Sequence, residues 1–66
     1  MDIVVNGQPK TFEQTLSVAE LLVQLGFTSL HLAVARNDAV VPRSQHAKTR
    51  VAEGDRIEII RAVGGG

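Results

Sequence analysis

The first dozen residues, DIVVNGQPKTF after Met1, run β-branched and then break at Asn6-Gly7. Asn-Gly is the dipeptide that best tolerates the two positive φ angles of a two-residue type I′ turn, so a β-hairpin is expected, with Ile3–Val5 against Lys10–Phe12. Pro9 has no backbone donor, which places the second strand at a sheet edge or starts it just after the proline. The period then changes. In TLSVAELLVQLGF, Val18, Leu21, Leu22 and Leu25 recur at helical spacing, which predicts one amphipathic helix of two to three turns. Ser17 with Glu20 three positions on is a capping box, Leu16 can staple onto Leu21, and Gly26 supplies a left-handed stop.

Beyond the helix the alternation returns. Leu30, Leu32 and Val34 alternate with His31, Ala33 and Ala35, giving a strand with one large apolar face, which should meet the helix, and one small face. A turn at Asn37-Asp38 leads into a short strand ended by Pro42. A polar irregular stretch and a turn at Glu53-Gly54-Asp55 precede the last strand, from about Arg56 to Ala62, in which Ile57 and Ile59 oppose Arg56, Glu58 and Ile60. The order ββαβββ predicts an α+β fold, a mixed sheet of four to five strands with one main helix crossing one face. Residues 1–62 form the domain, and Val63-Gly64-Gly65-Gly66 form a glycine tail.

A chain of 66 residues allows one domain, and its 44% apolar and 21% charged content is that of a globular protein. With no cysteine there is no disulfide, thiolate metal site or cysteine nucleophile, so a cytoplasmic protein is expected. An acid at position 2 and the lack of a long apolar run argue against a signal peptide and a membrane span. Seven basic residues balance seven acidic ones and there is no Tyr or Trp, which removes both the charge excess and the stacking platforms of nucleic-acid binding.

A conventional active site has few candidates. Ser17 reads as a helix cap and Ser44 as a loop residue, neither with a histidine at an activating spacing. His31 and His46, 15 positions apart, are too few for a metal site and read as surface or half-buried side chains. Asp38, Glu53 and Asp55 read as turn residues bonded to nearby backbone N–H groups. Three of the six glycines serve turns or the helix stop, and the other three are the tail. As a reagent the tail offers only the Gly66 α-carboxylate, ionised at neutral pH and a poor electrophile until a partner activates it. Fully extended, the four residues from Val63 reach about 13 to 14 Å, and glycine threads narrow channels without strain. Taken alone, the tail fits a frayed or linker terminus equally well.

At VNG, LAVARNDAVVPR and EGDRIEIIRAVGGG the sequence resembles the ThiS family of sulfur carriers of thiamine biosynthesis, over essentially all 66 residues. The V-P-R element, the G-D-x-I-E-I strand and the terminal glycines, in this order and at this length, carry the resemblance. It implies a β-grasp, or ubiquitin-like, fold and a non-catalytic carrier. In that chemistry an E1-like adenylyltransferase, using ATP and magnesium, adenylates the terminal glycine, here Gly66. Sulfur from a donor such as a cysteine desulfurase then makes a thiocarboxylate, which supplies thiazole synthase in forming thiazole phosphate. The carrier itself would bind no cofactor or metal. Val63, Gly64 and Gly65 would thread the partner's channel. His46 departs from the aromatic residue expected shortly after V-P-R, which bears on packing in that loop. The small subunit of molybdopterin synthase and a ubiquitin-type modifier share the fold and the Gly-Gly end and are the alternatives. If the helix covers Ile3, Val5, Leu32, Val34, Ile57 and Ile59, the opposite face carries Val4, Ala33, Ala35, Glu58 and Ile60 and is the expected partner-docking face.

Overall fold

The computed structural model describes residues 1–28 and 31–61. Asn6 and Gly7 both take positive φ, 49° and 81°, and their turn sets β1 (Asp2–Val5) against β2 (Gln8–Thr11) with Val5 opposite Gln8. The second strand thus starts two residues earlier than expected and contains Pro9, because a two-residue turn leaves no slack before pairing resumes. Pro9 is tolerated because β2 is an outer strand of the sheet. Phe12 continues the pairing beyond β2, exchanging hydrogen bonds with Met1 at 2.6 and 2.9 Å.

Helix α1 (Val18–Gln24) begins at the expected capping box: Ser17 Oγ accepts from Glu20 N at 3.1 Å, and Ser17 N donates to Glu20 Oε1 at 2.8 Å. The next orphan donors go to a distant segment, Val18 N to Thr49 O and Ala19 N to His46 O. At the other end Gly26 (φ 82°) lets its N–H reach Val23 O while Phe27 N reaches Leu22 O, a Schellman closure. Val18, Leu21 and Leu22 are buried, and Leu16 and Leu25 pack against the same core.

Strands β3 (Leu32–Arg36) and β4 (Ala39–Val41) are joined by Asn37-Asp38, both at positive φ, and β4 gives way at Pro42 to a 3-10 turn over Arg43–Gln45. The expected start of β3 at Leu30 lies outside the described residues, and His31 precedes the strand. Strand β5 spans Arg56–Arg61; Ala62 also lies outside the described residues. The five strands form one mixed sheet in the order β2-β1-β5-β3-β4. Strand β5 runs parallel to β1, with Val5 level with Ile57, and antiparallel to β3, with Val34 opposite Ile59. Every member of the expected helix-facing set is in or against the core, together with Val41 and Val51.

The stretch from Val41 to Asp55 is more ordered than its polar sequence suggests. Val51 N donates to Leu16 O at 2.8 Å, and Ser17 bridges Arg50, so this segment is strapped to the helix start. His46 is buried rather than at the surface, its Nε2 lying 3.0 Å from Val41 O. The carbonyl answers the ring's polar atom, which is what allows an imidazole to sit in the place of an apolar side chain. The three turn carboxylates also reach further than a local role requires. Asp38 pairs with Arg56 at 2.8 Å, Glu53 accepts from Asp2 N at 3.0 Å, and Asp55, besides its local bond from Ala52 N, holds Arg36 and Asn37.

Candidate functional site

With one face of the sheet under α1, the strand register decides what the other presents. Ala33 stands opposite Ile60, Ala35 opposite Glu58, and Val4 level with Arg56, so the sheet brings Val4, Ala33, Ala35, Glu58 and Ile60 to one surface. Ile60 is 62% exposed, Ala33 and Glu58 are exposed, and Val4 and Ala35 are half-buried. Among the described residues Glu58 has no ion-pair partner.

The surface is wider than the sequence indicates. Val40, 76% exposed, lies across from Ala35, and Pro9 lies across from Val4. Both extend the apolar character toward the two edges of the sheet. Two tight turns fix these neighbours: Asn37-Asp38 sets Arg36 opposite Ala39, which carries Val40 to Ala35. The signal that could have found Val40 is therefore the turn's register, since the run AVV shows no alternation of its own.

Val63, Gly64, Gly65 and Gly66 lie outside the described residues. The structure carries β5 as far as Arg61, whose guanidinium lies 5.7 Å from the centre of the Phe27 ring on the helix side. Among the described residues no three His, Asp or Glu side chains converge as a metal site would need, and no helix is long and apolar enough to cross a membrane. Ser17 is 3% exposed and committed to its capping box.

Two carboxyl groups depart from their ordinary range. The Glu20 carboxyl is held below it, first by the hydrogen bond from the Ser17 backbone N–H, with the Arg50 guanidinium at 3.4 Å adding to the effect. Burial pushes the Asp55 carboxyl up, but bonds from Ala52 N, Arg36 and Asn37 outweigh it and hold the group below the usual value. Both are accounted for by structural partners and neither faces the open sheet surface.

The sequence profile of the ThiS family matches residues 3–66. Over its whole length the chain is 36% identical to the sulfur carrier protein ThiS of Escherichia coli, and covers all of that protein. It is 41% and 39% identical, again over its whole length, to thiazole synthases of Paramagnetospirillum magneticum and Magnetococcus marinus, of which it spans 20%. The crystal structure of the thiamine biosynthesis protein ThiS from Geobacter metallireducens superposes with a TM-score of 0.87 at 35% identity, each chain fully covered. Its likeness extends from the hairpin through the single helix to β5, and the mixed five-stranded sheet under one helix is a β-grasp fold. Sequence profile, full-length relatives and superposed fold agree, and the chain belongs to the ThiS family.

Proposed function

We propose that this protein is a sulfur carrier of thiamine biosynthesis that works in the cytoplasm as a consumed and regenerated cosubstrate rather than as a catalyst. The observation that carries the reading is the full-length match to a sulfur carrier protein of the same extent. The match to a fifth of two thiazole synthases supports a synthase as the acceptor, since a polypeptide holding both units keeps carrier and acceptor together.

Simple chemistry orders the steps. The Gly66 carboxylate is stabilised by its charge and must be activated before it accepts a nucleophile. An E1-like adenylyltransferase, which holds ATP and magnesium, lets one carboxylate oxygen attack the α-phosphorus and expel pyrophosphate. The terminal sulfur of a donor persulfide, such as that of a cysteine desulfurase, then displaces AMP to give an acyl disulfide. A thiol cleaves its S–S bond, supplying the two electrons that leave a thiocarboxylate on Gly66 and a disulfide on the donor side. Val63, Gly64, Gly65 and Gly66 together provide about 13 to 14 Å of reach with little side-chain bulk, so the carboxyl group enters a partner's pocket while the domain stays outside.

The sheet face around Ile60 docks both the adenylyltransferase and the synthase, because apolar residues grouped on one exposed surface favour protein contact over water. Ile60→Asp is expected to weaken each association by about tenfold or more, roughly 1.4 kcal/mol. Unchanged binding to both would remove this face from the mechanism. The carrier reading is tested by intact-mass measurement after incubation with the cognate adenylyltransferase, ATP, magnesium and a sulfur source. The expected gain is that of one oxygen exchanged for sulfur, lost on deletion of Gly66. No gain with an active partner, and no loss of activity on either Gly66 deletion or Gly65→Ala, would sink the reading.

A further inference from the structure

On the helix side of the sheet, away from the face just described, Leu22 and Val23 of α1, Phe27, Leu32 and the 3-10 turn enclose a cavity of about 180 Å³. Five of its seven lining residues, Ala19, Leu22, Val23, Phe27 and Leu32, are apolar, and none is acidic. Arg43 and His46 complete the lining, and outside it the Arg61 guanidinium stands 5.7 Å from the centre of the Phe27 ring. Val23 is 74% exposed beside it.

The arginines separate into two groups. Arg36 pairs with Asp55, Arg50 with Glu20 and Arg56 with Asp38. Arg43 and Arg61 have no acidic partner among the described residues; Arg43 lines this cavity, and Arg61 stands beside Phe27, one of its lining residues. A hollow with apolar side chains, one unanswered cation in its lining and a second beside its Phe27 complements a segment with one large apolar side chain and flanking carboxylates.

We infer that this groove is a second docking site, which receives an acidic, apolar-anchored segment of the protein that delivers sulfur. The inference rests on the sulfur-carrier reading. An acyl-adenylate is a mixed anhydride that water destroys, so it stays enclosed by the adenylyltransferase until sulfur arrives. The delivering protein therefore meets the carrier while the sheet face is covered, and must hold it elsewhere. The groove lies on the opposite side of the sheet, yet its Phe27 sits beside Arg61 at the end of β5, five residues before the carboxylate at Gly66. A protein anchored there is close to the reacting group without competing for the sheet.

Two measurements test this. The ¹⁵N-labelled protein is titrated with a short acetylated, amidated peptide of Asp, Glu, Leu and Phe, and with its lysine-for-acid counterpart. Shifts of the Val23, Phe27, Leu32 and Arg43 amides with the acidic peptide alone, abolished in Arg43→Glu, are expected. No shifts, equal shifts with the lysine peptide, or the same shifts on simply concentrating the protein, which would indicate a second copy, overturn the inference. In reconstituted thiocarboxylate formation, Val23→Asp and Arg43→Glu, both at exposed positions, are expected to raise the KM for the sulfur-delivering protein about tenfold while leaving ATP–pyrophosphate exchange unchanged. An unchanged KM overturns the inference. If the wild-type protein is not adenylated at all, the carrier reading has failed, and the peptide titration still decides the groove.

Discussion

Asp55 is the junction at which three separate parts of the chain are tied. Its side chain is 7% exposed, and the carboxylate accepts from Ala52 N at 2.8 Å, Arg36 Nε at 2.6 Å and Asn37 Nδ2 at 3.0 Å. Asp55→Ala removes both acceptor oxygens and leaves the three donors to find water. A hydrogen bond to a charged group contributes about 1.5–3 kcal/mol, and breaking a buried ion pair costs about 3–5 kcal/mol. Arg36 keeps 35% side-chain exposure and so recovers part of its hydration, which lowers the expectation to about 2–3 kcal/mol. At about 0.05–0.15 kcal/mol per residue the whole domain is stable by only roughly 3–10 kcal/mol, so the loss is a large share. Urea unfolding followed by circular dichroism should show the midpoint lower by about 2 M, taking a slope near 1 kcal/mol/M.

The same measurement against pH separates charge from packing. Because the folded-state pKa of Asp55 lies below its unfolded value, its contribution is complete above the ordinary carboxylate range and is lost as pH falls through the folded value. The gap between wild type and Asp55→Asn should therefore be widest near neutral pH and close steadily on acidification below about pH 4. Working with the difference cancels Glu20, whose pKa is also lowered and which weakens in acid in both proteins. A midpoint change under 0.5 M for Asp55→Ala, or a gap independent of pH, would refute the reasoning.

Leu21→Ala empties a site with 0% exposure at the centre of the helix–sheet contact and should cost about 2–5 kcal/mol by thermal or chemical unfolding. Ser17→Ala breaks the capping box and should cost about 1 kcal/mol, rescued in part by Asn or Asp at the same position but not by Val. Asn6→Ala loses a side chain that bonds both N and O of Ile59 and forces alanine to φ near 49°; a loss of about 2 kcal/mol is expected, and Asn6→Gly should lose less because glycine accepts that backbone.

What could be read in the sequence was local. Asn6-Gly7, the Ser17/Glu20 box and Gly26 act within a few residues of themselves, so their motifs are visible in the chain and their geometry matches the expectation. Strand alternation likewise assigned Ile3, Val5, Val34, Ile57 and Ile59 to the core. The stretch from Val41 to Asp55 was opaque because its order comes from partners far along the chain: Leu16 for Val51, Ser17 for Arg50, Arg36 and Asn37 for Asp55. Val40 joins the open face only through a cross-strand register, which no single-strand pattern displays. The tail's role was legible only through its resemblance to a family, since a string of glycines carries no periodicity.

The position of β5 also bears on how the domain meets a mechanical load. It lies in the middle of the sheet, parallel to β1 and antiparallel to β3, and Asn6 grips it from the hairpin turn at Ile57 O and at both backbone groups of Ile59. A partner that tugs on the chain beyond Arg61 pulls along β5, so its two ladders and the Asn6 grip are loaded in shear, many bonds at once, instead of being peeled one by one as an edge strand would be. The domain can thus be held at one surface and drawn on at its end without giving way between the two.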